Sequence, residues 1–595
     1  MTQPTPHEVP PPTAPWVCFR LAEDRETPWR VYSDPVRVLV ARRLDDVLPC
    51  LEAVERATQE DGRHAAGFIA YEAAPAFDAA LPAKPDGAFP LLWFALFREP
   101  RKLDSLPGAP SEPNAPPDWE APVSEEEYRR RVQRVRAYIH DGDTYQVNLT
   151  HRLRTSQPCR DPWRLFRQLI GEEPPPFAGF ADTGEWAVCS ASPELFFRLD
   201  GRRIQSRPMK GTAARGLWYE QDCARAEALR TSAKDRAENL MITDMVRNDL
   251  GRVAVPGSVT VPDLFRVERH ATVWQMISNV TATTDARIPD IFRALFPPAS
   301  ITGAPKRRTM EIIDELETTP RRVYTGALGV VAPRRRAVFN VVIRTPLIHK
   351  PTGNGEYGVG GGIVWDSNPD EEARECRIKS RVLRQQRPAF DLLETLLWTP
   401  ADGYGLEDLH LQRLANSAEY FLFSADLDEI RRELRRRADQ FEPRPQRVRL
   451  TVSRRGAVRV ETRELAPPAA FVDVAVALSP VDRSDPFLYH KTTHREVYRR
   501  ALEEVPGATD VLLYNEQGNV TESTIANLAI EIGGALLTPP VCAGLLPGTQ
   551  RRHMLERGEL TEGDVPLEHV LETRRVYLLN SVRGMQEVAV REKAG

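Results

Sequence analysis

Apolar positions change their period several times along the chain, and each change predicts an element. Ser124-Glu-Glu-Glu-Tyr128 joins a capping residue to an acidic first turn, and Val132, Val135 and Ile139 follow at helical spacing, so a helix is predicted there. Apolar runs at 186–189, 195–199, 326–331 and 338–343 predict strands. Strands and helices mix without the regular alternation of a doubly wound sheet, which favours a large antiparallel α/β (α+β) architecture. No internal repeat is visible.

The stretch from Pro100 to Pro122 is crowded with Pro, Ser, Glu and Asp and has no period, so it predicts a long surface connection. A basic helical pattern over 374–387 stops at Pro388 and a new apolar pattern starts at Asp391, which places the main boundary there. The expected organisation is a disordered terminus (1–15), an N-terminal part with the Pro-rich connection (16–121), a catalytic domain (122–387) and a second module (391–595). Gly353-Asn-Gly355-Glu-Tyr-Gly358 matches the G-x-G-x-x-G dinucleotide fingerprint. It runs into strand-like sequence instead of opening a helix, so it is read as a turn.

With 595 residues the chain exceeds the ~250–300 at which single cores stop growing, so two or three domains are expected. Its 80 basic and 84 acidic side chains leave a formal net charge of −4, far from the basic field that holds nucleic acid. No run approaches the roughly 20 apolar residues of a bilayer span and no signal-peptide core opens the chain, so a cytoplasmic protein without membrane contact is expected. The seven cysteines include no C-x-x-C pair and fit neither a disulfide framework nor a zinc cluster. None lies in the G-x-C-x-G turn of a glutaminase nucleophile.

A series of motifs then follows in order: Ser190-Ala-Ser-Pro-Glu194, Pro208-Met-Lys-Gly-Thr212, Ala237-Glu-Asn-Leu-Met241, Val246-Arg-Asn-Asp-Leu-Gly251, Ile301-Thr-Gly-Ala-Pro-Lys306, Val341-Val-Ile-Arg344 and Gly360-Gly-Gly-Ile-Val364. Together they resemble the chorismate-utilising enzymes, and residues 16–99 resemble the variable N-terminal part of the same module. The resemblance implies a Mg2+ ion on the ring carboxylate of chorismate, held by Glu238 and Glu375 with Asp235 and Glu372 one helical turn away. It further implies that Tyr324, Arg344, Thr302 and Gly360, Gly361 and Gly362 bind substrate, and that Glu194 is the general acid and base. Within this family a lysine at the place of Lys210 is the nucleophile of the aminodeoxychorismate synthases, whereas anthranilate synthases carry alanine there. Gln275 stands where anthranilate synthases carry a histidine, and Trp274 where many relatives are polar. Ammonia is expected from a separate glutamine amidotransferase subunit.

From Asp391 onward, His410-Leu-Gln-Arg-Leu414, His490-Lys-Thr-Thr493, Thr521-Glu-Ser-Thr-Ile-Ala-Asn527, Leu546-Pro-Gly-Thr549 and Asn580-Ser-Val-Arg583 resemble the class IV pyridoxal-phosphate enzymes, with two subdomains. The resemblance implies that Lys491 joins the pyridoxal 5'-phosphate covalently and moves protons, and that Glu522 pairs with the pyridine nitrogen. Arg413, Gly548, Thr549 and Ser581 would hold the phosphate, and a homodimer would form through this module. These residues do not separate a lyase from a transaminase. Fusion to a module making aminodeoxychorismate favours aminodeoxychorismate lyase. The alternatives are an anthranilate synthase with an attached aminotransferase, and a silent C-terminal dimerisation domain.

Overall fold

The computed structural model describes residues 11–24, 26–106, 108, 117–383, 388–465, 473–573 and 575–591. Residues 1–10 of the expected disordered terminus, 107 and 109–116 of the expected connection, and 385–387 at the expected boundary lie outside the described residues. The chain divides into two compact units. One comprises Met1–Ala213, Ala228–His270 and Trp274–Arg387; the other comprises Pro388–Gly595 together with Ala214–Glu227 and Ala271–Val273. Among the described residues no helix is long and apolar enough to cross a membrane.

The first unit is built on two ten-stranded sheets with antiparallel pairing. One includes the neighbouring strands Gln146–Thr155, Asn354–Ile363 and Pro346–His349; the other runs from Met209–Ala214 through Val273–Thr283, Leu195–Asp200 and Leu92–Phe97 to Arg37–Ala41. Period-two alternation explains their packing. In Leu92–Phe97, Leu92, Phe94 and Leu96 join a cluster with Val47, Leu51 and Val54 of helix Leu44–Gln59, while Trp93, Ala95 and Phe97 join Val17 and Phe19 of the other sheet. Both faces of the strand are therefore buried, and its six residues are all apolar.

The outer face of the first sheet carries helices Glu125–His140, Pro162–Ile170 and Pro369–Ser380. Ser124 caps the first of these, its hydroxyl accepting from the Glu127 amide at 3.2 Å. Val132 and Val135 are buried as the spacing predicts, but Tyr138 takes the deepest place of the last turn and Ile139 is half-buried beside it. The predicted strands appear as Trp186–Ser190, Leu195–Asp200, Ala327–Ala332 and Arg336–Val341. Gly353 lies at φ 74° in the turn between Pro346–His349 and Asn354–Ile363, and the fingerprint-like sequence continues into the second of these strands.

The second unit holds two layers of its own. A four-stranded sheet with Leu392–Thr399 and Gln446–Val452 at its centre packs against helices Glu407–Phe421 and Leu427–Ala438. An eight-stranded sheet closes on itself where Val520–Ser523 pairs with both Asp510–Tyr514 and Asn527–Ile532. Its parallel pairs are Asp473–Val476 with Asp510–Tyr514 and with Gly584–Arg591, and Ala535–Thr538 with Thr561–Glu562.

Candidate functional site

In the first unit the motif residues converge on the end of strand Met209–Ala214. A side-chain carbon at position 362 would lie 2.9 Å from both the Lys210 Nζ and the Gln146 Nε2, so Gly362 clears the room these groups occupy. At position 361 it would meet Glu372 Oε2 at 3.0 Å. Gly360 is required by the strand itself, since its neighbour's Leu149 carbonyl would lie 2.1 Å away.

Burial lowers the Lys210 amine below its usual range, and Lys379 adds to this, while Glu238, Glu194 and Glu375 oppose it. Glu194 is 4% exposed, and burial pushes its carboxyl up to about 7 against the Ser300 hydroxyl, Lys210 and Arg344. That is the proton affinity a general acid and base needs near neutrality. Glu238 lies on helix Ala233–Gly251 and is pushed up by burial, with Asp235 and Glu375 adding. Glu375 lies on helix Pro369–Ser380 and is 2.7 Å from Lys379, whose Nζ donates to the Gly360 carbonyl at 2.7 Å. Glu372 accepts from Ser367 at 2.7 Å, and Asp235 from Ser232, which caps that helix.

Arg344 adopts φ 52°, unusual for a residue with a side chain and a mark of many functional sites. Tyr324 is buried with the Arg152 guanidinium 4.7 Å from its ring centre. A side-chain carbon at Gly358 would lie 2.3 Å from that ring, which gives the last glycine of the discarded fingerprint its physical reason. The Thr302 hydroxyl turns to the Pro298 and Ala299 carbonyls of its own loop, at 3.2 and 3.3 Å. Among the described residues no three His, Cys, Asp or Glu side chains close on one point as an all-protein metal cage would.

Sequence reasoning left several members without a role, Gln275 being noted only as a departure from relatives. Gln146 is fully buried with neither end of its amide hydrogen-bonded among the described residues, at the Lys210 amine. The Asn239 amide donates to the Lys210 carbonyl at 3.0 Å and to the Met276 carbonyl at 3.3 Å. Gln275 donates to the Gly211 carbonyl at 2.8 Å and accepts from the Thr212 hydroxyl at 3.0 Å, so it brackets the strand after Lys210. Its partners are next to Lys210 in sequence, but nothing in the sequence pairs the two segments. Asp249 and Lys306, from two separate motifs, form an ion pair at 2.8 Å.

In the second unit Lys491 stands before Thr492, which bridges Leu392, and its carbonyl accepts from Leu393 at 3.0 Å. Burial lowers its amine to about 8, and Arg413 adds to this. Glu522 is pushed up to about 7 by burial, although the Tyr498 hydroxyl donates to it at 2.7 Å and the Asn527 amide at 3.1 Å. Gly548 stands at the N-cap of helix Thr549–Glu556 without a side-chain cap. The Thr549 hydroxyl is 3.3 Å from His410 Nε2, and the Ser581 hydroxyl donates weakly to the Thr395 carbonyl at 3.4 Å. The Arg413 guanidinium forks onto Glu394 at 2.9 and 2.6 Å and donates to the Pro547 carbonyl at 3.2 Å. Glu394, 1% exposed and also bonded to His410 at 2.7 Å, is, like Tyr498, a residue that sequence reasoning did not single out. Burial works against its charge, yet Arg413 and His410 hold it down to about 2.

Among known proteins, aminodeoxychorismate synthase component 1 of Klebsiella aerogenes is 46% identical over 270 residues, covering 45% of this chain and 59% of that protein. Its namesake of Escherichia coli (strain K12) is 42% identical over 271 residues, with the same coverage of 45% and 59%. The chain thus spans less than two thirds of the length of these curated relatives. The crystal structure of anthranilate synthase component I from Streptococcus pneumoniae TIGR4 shares the fold, with a TM-score of 0.53 at 22% identity over 64% of this chain and 95% of that one. Residues 391–590 match the family model of amino-transferase class IV. With residues 17–385 matching the family model of the chorismate binding enzymes and carrying the site around Lys210, the chain belongs to the chorismate binding enzyme family.

Proposed function

We propose that the chain converts chorismate and ammonia to 4-amino-4-deoxychorismate and then to 4-aminobenzoate, in the cytoplasm. The observation that carries this reading is the pairing of a Lys210 amine lowered by burial with a Glu194 carboxyl raised to about 7. The Lys210 amine attacks C2 of the ring; the two ring double bonds shift, and the C4 hydroxyl leaves as water with a proton from Glu194. Ammonia then attacks C4, the double bonds shift back, and the C2–N bond to Lys210 breaks, returning its amine. Net, chorismate and ammonia give aminodeoxychorismate and water. Arg344 and Tyr324 would hold substrate carboxylate, with Gly360, Gly361 and Gly362 keeping the strand close and Thr302 shaping the loop opposite.

Burial raises the proton affinity of Glu238 and Glu372, and Glu375 adds to both, while Glu375 itself, against its burial, is held below the usual range by Lys379; such hard oxygen donors suit Mg2+. Glu238 and Glu375 would hold the ion, with Glu372 and Asp235 behind them. Bound there it would neutralise the ring carboxylate.

For the second reaction, pyridoxal phosphate suits a buried amine beside a buried carboxyl and an uncapped helix start. Arg413, Gly548, Thr549 and Ser581 would hold its phosphate and Glu522 its ring nitrogen. When bound, it supplies an electron sink for the carbon that loses a proton. Lys491 takes that proton from C4; the C3–O bond breaks, pyruvate departs, and the ring becomes aromatic. We further read the active form as a homodimer through 391–595, testable by sedimentation. The two relatives are named component 1, which supports a companion amidotransferase as ammonia source.

Incubation with chorismate, Mg2+ and ammonium should yield 4-aminobenzoate and pyruvate. Glutamine alone should yield neither until an amidotransferase is added. A 2-aminobenzoate product would overturn the reading in favour of anthranilate chemistry.

A further inference from the structure

Ala214–Glu227 begins where the strand carrying Lys210 ends, yet it belongs to the second unit. Its centre is a buried ion pair: Arg215 Nε and Nη2 donate to the two Asp222 oxygens at 2.7 and 2.8 Å, the side chains being 7% and 0% exposed. The Asp222 carboxylate also accepts from the Gly216 amide at 2.8 Å, and Gln221 from the Leu217 amide at 2.7 Å. A side-chain carbon at Gly216 would meet the Asp222 amide at 2.2 Å, so the knot is closed tightly on itself.

The knot grips two tyrosines. Arg215 Nη2 donates to the Tyr420 carbonyl at 2.8 Å, its guanidinium lies 4.3 Å from the Tyr420 ring centre, and the Tyr420 hydroxyl donates back to the Gly216 carbonyl at 2.7 Å. Trp218 packs on Tyr489 with ring centres 5.4 Å apart. Between them sits His490, 4.2 Å from the Tyr420 ring and 4.8 Å from Phe421, with Nδ1 at 3.0 Å from the Ser417 hydroxyl. Lys491 is the next residue. Its far side is already fixed, through the Leu393 amide and the Thr492 bridge to Leu392.

A buried ion pair is weak evidence for net stability, because desolvating two charges offsets most of their attraction. What its forked, fully hydrogen-bonded form supplies is a fixed position. We infer that Ala214–Glu227 is a positioning clamp for Lys491, holding the Tyr489–His490 backbone so that the amine is set for its cofactor. The clamp deepens the pyridoxal-phosphate reading and rests on it. The cofactor site of the second unit is then incomplete without a segment that the sequence places between Lys210 and Glu238.

The test uses the full chain, stripped of cofactor, with Trp218→Ala, Trp218→Phe and Lys491→Ala. Three quantities are read: pyridoxal-phosphate affinity by absorbance titration, the pH midpoint of the visible band, and hydrogen exchange of amides 488–492 without cofactor. Trp218→Ala should weaken affinity roughly ten- to hundredfold, since a misplaced reacting group costs about that much. It should also move the midpoint and speed exchange at those amides, and Trp218→Phe should restore all three. Wild-type affinity and midpoint in folded Trp218→Ala overturn the clamp while the cofactor reading stands. A wild-type chain with no band that Lys491→Ala removes overturns both. Should Trp218→Ala not fold, Arg215→Lys keeps the charge facing Asp222 but loses the fork, and carries the same expectation at smaller size.

Discussion

Lys210 and Lys491 both sit where burial strips water from an amine, and each faces a buried carboxyl pushed up to about 7, Glu194 in one unit and Glu522 in the other. The surroundings of those carboxyls differ. Glu194 has the rotatable Ser300 hydroxyl beside it, whereas Glu522 receives two aimed donors, Tyr498 at 2.7 Å and Asn527 at 3.1 Å. A carboxyl with one adaptable neighbour can give up and regain a proton during a reaction. One held by two fixed donors is prepared to stay an anion once a cation approaches, and a protonated ring nitrogen would be that cation. In the proposed reactions the same proton affinity would therefore serve two roles, an acid and base in the first unit and a standing counter-ion in the second.

Removing each lysine should break the comparison most completely. Lys210→Ala should slow aminodeoxychorismate formation by ~10⁴-fold or more, the scale of losing a nucleophile. Its magnesium titration and its conversion of supplied aminodeoxychorismate should be unchanged. Lys491→Ala should lose the visible band and accumulate aminodeoxychorismate, followed by chromatography with ammonium as nitrogen donor. Full ammonia-dependent activity in Lys210→Ala would end the covalent route, and wild-type pyruvate release from Lys491→Ala would end the lyase assignment.

The carboxyls sharpen it. The proposed first step needs Lys210 unprotonated and Glu194 protonated. Because the Glu194 carboxyl is raised to about 7, its proton is held below that pH and lost above it. The synthase rate should therefore rise with pH as Lys210 deprotonates and fall above about 7. Glu194→Gln should lose ~10²–10⁴-fold and flatten the descending limb; a limb that survives the substitution belongs to another group. Glu238→Ala and Glu375→Ala should weaken magnesium binding by ~10–100-fold in calorimetric titration, and an unchanged titration removes that residue from the ligand set.

Much of this was legible in the sequence for a physical reason. Strands such as Leu195–Asp200 and helices such as Glu125–His140 are set by local period and capping, and motif glycines such as Gly360 and Gly362 mark close approaches that only glycine permits. Less legible was whatever depends on a partner far along the chain. Glu394 stands in an apolar strand with no local sign that His410 and Arg413 will meet it. Gln146 looks like any polar residue opening a strand, and Tyr138, three residues after Val135, continues the buried stripe in place of Ile139, a choice that helical spacing alone leaves open. The packing of Ala214–Glu227 with Tyr420 and Tyr489 lies beyond any local pattern, since it joins segments more than two hundred residues apart.

The smallest expected effect concerns how Lys210 is held rather than what it does. Asn239 is 1% exposed and links the Lys210 and Met276 carbonyls while accepting from the Ser278 hydroxyl. Asn239→Ala would leave those groups buried without their partner, at a cost of ~1–3 kcal/mol, readable as a lower denaturant midpoint with unchanged slope. The strand would also lose a fixed point at Lys210, so the synthase kcat should fall about tenfold with little change in KM for chorismate. Gln275→Ala removes two bonds one and two residues further on and should show the same pattern, weaker in both measures. The lyase reaction gives the internal control, because neither side chain belongs to the second unit. Equal losses in both reactions would point to general destabilisation, whereas a loss confined to the first would show that Lys210 depends on the backbone bracket around it.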